Sequence, residues 1–181
     1  MNREPFITGE YYHVYNRGVD KRNIFTSNTD VVRFLKSMDL FNSQRPIGSL
    51  YEFSFDVDNK KRDRKELVEF IAYCLNPNHF HFVLGQKRDG GISEFMRRLS
   101  AGYTYYFNLK KKRSGSLFQG RFKSRHILGN DYLLRVSAYV NLNNRVHNLR
   151  DTTSQIIRSS WNEYVKSESF LCNIKVLHDQ F

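Results

Sequence analysis

The sequence predicts an α+β fold, in which helices pack on an antiparallel β-sheet. Short segments with alternating apolar and polar residues interchange along the chain with longer segments whose apolar residues recur every three or four positions. Two strand segments are separated only by Asn76-Pro77, and so short a connection joins strands as an antiparallel hairpin. The order of strand, helix, strand pair, helix, strand and helix is typical of this class.

The N-terminal third is expected to form two strands and one helix. Residues 11–18 are rich in the aromatic and β-branched residues that favour strands. Residues from about 30 to 43 carry apolar side chains at helical spacing, which predicts the first helix. Alternation over residues 51–57 predicts a half-buried strand, and the charged run over residues 58–65 predicts a loop.

The middle of the chain is expected to form the hairpin. Residues 66–75 are apolar on much of both predicted faces, as in a strand with both sides buried. After the turn, residues 78–84 form a second strand, in which His79 and His81 share one face while the other face is apolar.

The C-terminal half is expected to form two helices with a strand between them. A long helix follows Gly90-Gly91, with an apolar stripe on one side. A strand covers about residues 125–128, and Asn130 is the expected N-cap of a helix over residues 131–146. The side chains of this helix that we expect to be buried are Leu133, Leu134, Val136, Ala138 and Val140.

These elements predict a ferredoxin-like or RRM-like sheet with helices packed on one face. The length of the chain allows one well-packed domain, which we assign to residues 1–150. Residues 151–181 are expected to form a C-terminal appendage packed on the same domain. The two histidines would then lie on a central strand, near the helix that carries Tyr139.

The composition favours a nucleic-acid partner. The 29 basic and 18 acidic residues give a net charge of +11, which suits a polyanion. Aromatic residues make up 15% of the chain, and aromatic rings among cations suit unpaired bases. Two cysteines are too few for a disulfide framework, and the chain shows neither a signal peptide nor a membrane-spanning run. We therefore expect a cytoplasmic protein without a membrane partner.

The strongest chemical signal is the pair His79 and His81. Neutral imidazole is a common metal ligand, and two such groups on one strand face can bind the same ion. A tyrosine beside a metal-bound phosphate suggests nucleophilic phosphoryl transfer. The chain has 11 tyrosines; Tyr139 is favoured because Asn143, one helical turn later, offers a carboxamide oxygen to the metal. The alternative is two ordinary strand histidines and a packing tyrosine.

Four stretches of the chain resemble one known family. They are Tyr12-His13-Val14-Tyr15-Asn16-Arg17-Gly18, Tyr73-Cys74-Leu75-Asn76-Pro77-Asn78-His79-Phe80-His81, Gly115-Ser116-Leu117-Phe118-Gln119-Gly120-Arg121-Phe122-Lys123-Ser124 and Tyr139-Val140-Asn141-Leu142-Asn143. In this order they are similar to the IS200-type Y1 transposases, and most similar to the REP-associated tyrosine transposases.

The resemblance implies an HUH single-strand endonuclease that cuts and rejoins DNA. In such enzymes the residues that match His79 and His81 bind Mg²⁺ or Mn²⁺, and Asn143 matches a polar third ligand. The residue that matches Tyr139 attacks the DNA backbone to give a 5′-phosphotyrosine and a free 3′ hydroxyl. One departure is Asn144, which stands where family members usually have proline, so the helix need not end there.

The expected partner is single-stranded DNA, with a hairpin structure implied by the resemblance, and the protein would act as a monomer or a homodimer. A single strand crossing the site needs cations to hold it. The candidates for DNA contact are Arg17, Lys21, Arg22, Arg97, Arg98, Arg121, Lys123 and Arg125.

Three other functions remain open from the sequence. The chain could be a non-catalytic, RRM-like module that binds single-stranded nucleic acid on aromatic platforms. It could also be a metal-dependent hydrolase that activates water, with Tyr139 in a supporting position. A third alternative is an inactive or domesticated relative that keeps the fold and binds DNA.

Overall fold

The computed structural model describes residues 5–47, 65–146 and 156–179, and its centre is a five-stranded antiparallel sheet. The strands are β1 (Tyr11–Arg17), β2 (Val68–Asn76), β3 (His79–Gln86), β4 (Lys123–Ile127) and β5 (Arg158–Ser159). Their order in the sheet is β4-β1-β3-β2-β5, with every neighbouring pair antiparallel. Strand β3, which carries the two histidines, is therefore central, and the hairpin of β2 and β3 is confirmed.

The helices in the described ranges are α1 (Asn28–Phe41), α2 (Gly91–Lys110), α3 (Asn130–Asn141), α4 (Asn143–Val146), α5 (Trp161–Lys166) and α6 (Lys175–His178). A short turn over Val19–Lys21, in which Asp20 and Lys21 have positive φ, follows β1. None of the helices described is long and apolar enough to cross a membrane.

Helices cover both faces of the sheet. On one face Phe80 and Phe82 of β3 pack with α1 and α2 in the larger hydrophobic core. On the other face Val83 packs with Val136 and Val140 of α3. The α+β class and the antiparallel sheet are confirmed, whereas the helices, expected on one face, divide between the two. Strands β2 and β3 present apolar side chains on both faces, so both faces need cover.

The ends of several elements differ from the expected positions. Helix α1 begins at Asn28 because the Ser27 side chain caps it, accepting a hydrogen bond of 3.3 Å from the Asp30 amide. Strand β4 begins at Lys123, before the expected start. The strand expected over residues 51–57 lies outside the described residues, as does nearly all of the charged loop after it.

Helix α3 is shorter than the sequence indicates. Its N-cap position is occupied by Gly129 and not by Asn130, which is already helical. The helix ends at Asn141, and Leu142, with φ −101° and ψ 6°, separates it from α4. The expected burial of Ala138 is wrong, because this residue faces solvent.

Residues 156–179 lie along β2. Strand β5 pairs with Cys74 and Leu75, and the Ser160 amide donates to the carbonyl oxygen of Tyr73 at 3.0 Å. Cys172 is 1% exposed and belongs to the larger core. These contacts attach the C-terminal segment to the edge of the sheet, while the boundary expected at residue 150 stays a prediction.

Candidate active site

Polar side chains from neighbouring strands meet on one face at one end of the sheet. Residues directly opposite each other on paired strands project to the same face. Two such rows cross the sheet at this end: Lys123, Tyr15, His81 and Cys74 in one, and Arg17, His79 and Asn76 in the other. The β-sheet register therefore surrounds the two histidines with cations on the β1 side.

The ring of His79 is held in one orientation by two asparagines. Its Nδ1 lies 2.6 Å from Oδ1 of Asn78, and its Nε2 lies 3.0 Å from Nδ2 of Asn76. An amide oxygen only accepts and an amide nitrogen only donates, so the neutral ring carries its proton on Nδ1. Nε2 of His79 is consequently the unprotonated nitrogen.

Asn143 places its side-chain oxygen beside this nitrogen. Oδ1 of Asn143 lies 3.1 Å from Nε2 of His79 and accepts a hydrogen bond of 2.8 Å from Nδ2 of Asn76. Asn76 and Asn143 are both 0% exposed. The two hydrogens of the Asn76 amide thus hold two acceptor atoms close together. Nδ2 of Asn143 is buried without a hydrogen-bond partner among the described residues.

His81 contacts the rings of four neighbours, which are His13, Tyr15, His79 and Tyr139. Nδ1 of His81 lies 2.8 Å from Nε2 of His13, and the two ring planes are inclined by 21°. Tyr15 stacks on His81 with ring centroids 5.4 Å apart. Burial lowers the pKa of His13 to about 4, and the Arg125 guanidinium acts in the same direction. His13 is therefore neutral at pH 7.

Tyr139 projects from α3 towards β1 and β3, the strands that carry His13 and His81. Its ring meets those of His81 and His13 edge-on, with centroids 6.0 Å and 6.1 Å apart. The side chain is 43% exposed, unlike the apolar residues of α3 that pack on the sheet. Tyr139 is thus held against the histidines while part of it remains accessible to a ligand.

Two open clefts share Tyr139, Tyr15 and His81 in their walls. The first has a volume of about 680 Å³, and the residues that complete it are Asn16, Arg17, Lys21, Asn78, His79, Gln119 and Lys123. The second has a volume of about 720 Å³, and the residues that complete it are His13, Ser124, Arg125, Tyr132, Arg135 and Val136. Cationic side chains therefore lie on both sides of Tyr139.

Lys21 is brought to the first cleft by an unusual turn. The amide of Gly18 donates to the carbonyl oxygen of Asn78, and a Cβ on Gly18 would lie 2.2 Å from the carbonyl oxygen of Arg22. Only glycine permits this close approach. Lys21 itself has a positive φ of 58°, and its carbonyl oxygen accepts a hydrogen bond from the Asn78 side chain.

The loop before β4 is joined to the end of β1. The Gln119 amide donates to the carbonyl oxygen of Arg17 at 2.8 Å, and the Asn16 side chain donates to the carbonyl oxygen of Gly120 at 3.3 Å. The Arg17 side chain donates to that of Gln119. Two of the four stretches that carry the resemblance are thus in direct contact.

The candidates for DNA contact separate into two groups. Arg17, Lys21 and Lys123 line the first cleft, and Arg125 lines the second. The others do not line either cleft: they are Arg22, Arg97, Arg98 and Arg121. Their role in DNA binding stays a prediction.

Two of the candidates outside the clefts lie on α2, which packs on the opposite face of the sheet, and both form ion pairs with the same glutamate. Arg97 and Arg98 each lie 2.7 Å from a carboxylate oxygen of Glu94. Their cations are therefore partly neutralised.

Several residues at the site were not singled out as functional from the sequence. They are His13, Tyr15, Asn76, Asn78, Gln119, Tyr132 and Arg135. Alternation along β1 carries the signal for His13 and Tyr15, since both share a face with Arg17. No local pattern indicates Asn76, because its role depends on contact with Asn143, 67 residues away.

The described side chains contain no cluster of three or more His, Cys, Asp and Glu residues that could hold a metal ion. A site at His79 and His81 would therefore need an oxygen from another residue type, and Asn143 offers one. Adjacent ligands of an octahedral cation with bonds of roughly 2.1 Å lie about 3 Å apart. The 3.1 Å separation between His79 Nε2 and Asn143 Oδ1 fits this spacing.

Residues 59–143 match the family model described as transposase IS200 like. No curated protein matches the chain in sequence. A solved structure of a REP-associated tyrosine transposase bound to a REP hairpin matches with a TM-score of 0.63 at 16% identity, covering 92% of this chain and 85% of that one. At this identity the structural match shows the shared fold. The family match spans the two histidines, Tyr139 and Asn143, so over residues 59–143 the chain is similar to the IS200-like transposases.

Proposed function

We propose that this protein is an IS200-like transposase that cuts and rejoins single-stranded DNA, with Tyr139 as the nucleophile and with Mg²⁺ or Mn²⁺ as a cofactor. The observation that carries the proposal is the position of Tyr139, whose ring lies 6.0 Å from that of His81 on the wall between two clefts lined by cations. A strand that crosses Tyr139 would have its phosphates near cations on both sides.

His79, His81 and Asn143 would hold the metal ion, and the lone pair of His79 Nε2 would then bind the metal in place of the hydrogen from the Asn76 amide. When bound, the ion would polarise the scissile phosphate and offset the negative charge that develops on it. Neutral imidazole nitrogens and an amide oxygen are suitable ligands for a divalent cation. Nδ2 of Asn143 has no hydrogen-bond partner among the described residues, which supports this assignment, because burying such a group costs about 1–3 kcal/mol and a purely structural asparagine gains nothing from it.

Tyr139 would supply the covalent step. Its phenolic oxygen loses its proton and attacks phosphorus, and the bond from phosphorus to the 3′ oxygen breaks. That oxygen takes up a proton and leaves as a 3′ hydroxyl, while the downstream fragment stays on Tyr139 as a 5′-phosphotyrosine. The reaction exchanges the phosphate ester of the DNA for a phosphate ester of Tyr139. Attack by a 3′ hydroxyl can therefore reverse it and rejoin strands without another energy source.

The clefts would hold the nucleotides on either side of the cut. Arg17, Lys21 and Lys123 would contact phosphates in the first cleft, and Arg125 and Arg135 would do so in the second. The solved structure that shares this fold contains a bound REP hairpin, which supports hairpin DNA as the substrate of this chain too. Monomeric and dimeric forms are both compatible with this site.

The test is incubation of the protein with hairpin DNA from the repeats beside its own gene, labelled at either end, in Mn²⁺ or Mg²⁺. Denaturing electrophoresis should show a covalent adduct on the fragment 3′ of the cut. Tyr139→Phe should reduce cleavage by at least about a thousandfold, because the attacking oxygen is removed, and should leave hairpin binding intact.

Tyr105→Phe is the matched control, since Tyr105 is 73% exposed on α2 and lines neither cleft. This variant should cleave like the wild type. Wild-type cleavage by Tyr139→Phe would exclude Tyr139 as the nucleophile. Hairpin binding by the wild type without an adduct or cleavage in either metal would favour a binding module.

A further inference from the structure

We propose that His13 is a positioning residue that holds His81 with its proton on Nδ1, so that Nε2 of His81 is available to a metal ion. The inference rests on the proposed metal site. It concerns His13, a residue of β1 outside the proposed set of metal ligands and 68 positions before His81 in the sequence.

The contact between the two rings is close and geometrically defined. Nε2 of His13 lies 2.8 Å from Nδ1 of His81, and the two ring planes are inclined by 21° with centroids 5.1 Å apart. Strand pairing places His13 opposite Val83, one position along the same face from His81. Both imidazoles are half-buried, so water competes less for this hydrogen bond than it would at an open surface.

One hydrogen joins the two nitrogens, and its position decides what His81 can bind. If Nδ1 of His81 donates, Nε2 of the neutral ring carries the lone pair. If Nε2 of His13 donates instead, Nδ1 of His81 accepts, and Nε2 of His81 carries the hydrogen and cannot bind a metal. Only the first arrangement leaves Nε2 of His81 unprotonated, as Nε2 of His79 is.

His79 makes an equivalent hydrogen bond through its Nδ1. Nδ1 of His79 donates to Oδ1 of Asn78, which leaves Nε2 unprotonated next to Asn143. Metal-binding histidines commonly donate their second nitrogen to a carboxylate, carbonyl oxygen or water, which fixes the ring and its tautomer. Here His13 takes that part for His81, and Asn78 takes it for His79.

The tautomer can be measured without metal, DNA or catalysis. Long-range proton–nitrogen NMR spectra of the protein with ¹⁵N-labelled histidine distinguish protonated from unprotonated ring nitrogens. In the wild type His81 should be protonated on Nδ1, and in His13→Leu it should shift towards protonation on Nε2. A wild-type His81 protonated on Nε2, or the same tautomer in both proteins, would overturn the inference.

Metal affinity gives a second readout. Calorimetric titration with Mn²⁺ should show affinity about 10–100-fold weaker for His13→Leu than for the wild type. His13→Gln offers a side-chain oxygen in place of the nitrogen acceptor and should recover most of the loss. His13→Ser is a second removal variant if leucine disturbs the sheet.

The control is His126→Leu. His126 is also half-buried on the sheet, but it stacks on Tyr12 and pairs with Glu10, away from the clefts. This variant should bind Mn²⁺ within about twofold of the wild type, since it removes no contact of the metal site.

Outcomes for His13 and for Tyr139 can be separated. Equal Mn²⁺ affinity of the wild type and His13→Leu overturns the role of His13, while the covalent adduct still tests Tyr139. An adduct missing from the wild type would reject the nucleophile, yet the tautomer and the Mn²⁺ affinity would still report on His13.

Discussion

At the scale of single residues, buried amides position the site and exposed cations surround it. Asn76 is fully buried and bonds both His79 and Asn143, whereas Arg17, Lys123 and Arg125 are exposed at the clefts. A buried amide without its partners costs more than a lost surface contact, so these two groups should respond differently to substitution. The first group would hold the proposed ligand atoms, and the second would be available to DNA.

Arg125 provides a test of the second cleft. Arg125→Gln should weaken hairpin binding and reduce the slope of log affinity against log salt by about 0.7, because one phosphate contact with a single strand is lost. Fluorescence anisotropy across a salt series measures both quantities.

Arg97→Gln makes the same change of charge on α2, where Glu94 already pairs with Arg97. It should change binding much less than Arg125→Gln does. Equal losses in the two variants would indicate that net charge, rather than the cleft, determines affinity.

At the scale of elements, contacts between distant segments determine where the site helix ends. Oγ of Ser160 donates to Oδ1 of Asn141 at 2.6 Å and accepts from the Tyr73 amide at 2.9 Å. These bonds tie the last residue of α3 to β2 immediately before Asn143 turns towards His79. The break at Leu142 thus occurs without the proline that would have ended the helix locally.

Ser160→Ala should destabilise the protein by about 1–3 kcal/mol, because buried partners lose their hydrogen bonds. Urea unfolding measures the change. Ser159→Ala is the control, since Ser159 is half-buried and its side chain accepts a long bond of 3.4 Å from Trp161. Similar stability of the wild type and Ser160→Ala would contradict the role assigned to Ser160.

The contact between α1 and α2 depends on Asp30. Burial acts to raise the pKa of this carboxyl, but hydrogen bonds from Lys110, Thr26 and Tyr106 outweigh burial and lower its pKa below the ordinary value. The unfolded chain therefore takes up this proton more readily than the folded chain. The resulting stabilisation is present above about pH 4 and is lost as the pH falls through the lowered pKa.

Asp30→Asn removes this titration. The variant should be less stable than the wild type at pH 7, and its unfolding free energy should fall less steeply as the pH drops below about 4. Urea unfolding at a series of acidic pH values gives the two slopes. Parallel curves would show that Asp30 does not contribute to the acid sensitivity.

At the scale of the whole molecule, the C-terminal segment completes the sheet. Strand β5 pairs with β2, and Cys172 and Leu177 are buried in the cores on the two faces. Glu163 accepts hydrogen bonds from three successive amides, those of Phe170, Leu171 and Cys172. Residues 156–179 therefore supply core contacts as well as the bond from Ser160 to α3.

Deletion of residues 156–181 should prevent stable folding, because it exposes the edge of β2 and uncovers apolar side chains on both faces. Thermal unfolding and size-exclusion chromatography of the shortened chain should show a lost transition or aggregation. A shortened chain that unfolds at the wild-type temperature would support an independent domain over residues 1–150.

The sequence by itself indicated the fold class, the main strands and helices of the described residues and the candidate residues of the site. Periodicity places His79 and His81 on one face of their strand, because side-chain direction within a strand follows from local geometry. The four stretches that resemble the IS200-type transposases indicated the family, and the family match over residues 59–143 agrees with that indication.

Only the tertiary structure decided which distant residues meet. The contacts of His13 with His81, of Asn76 with Asn143 and of Ser160 with Asn141 join positions 68, 67 and 19 residues apart. Their geometry depends on strand register and on how α3 packs, and neither is encoded in a local pattern. For the same reason, the end of α3 and the division of the helices over both faces emerge only when the chain is folded.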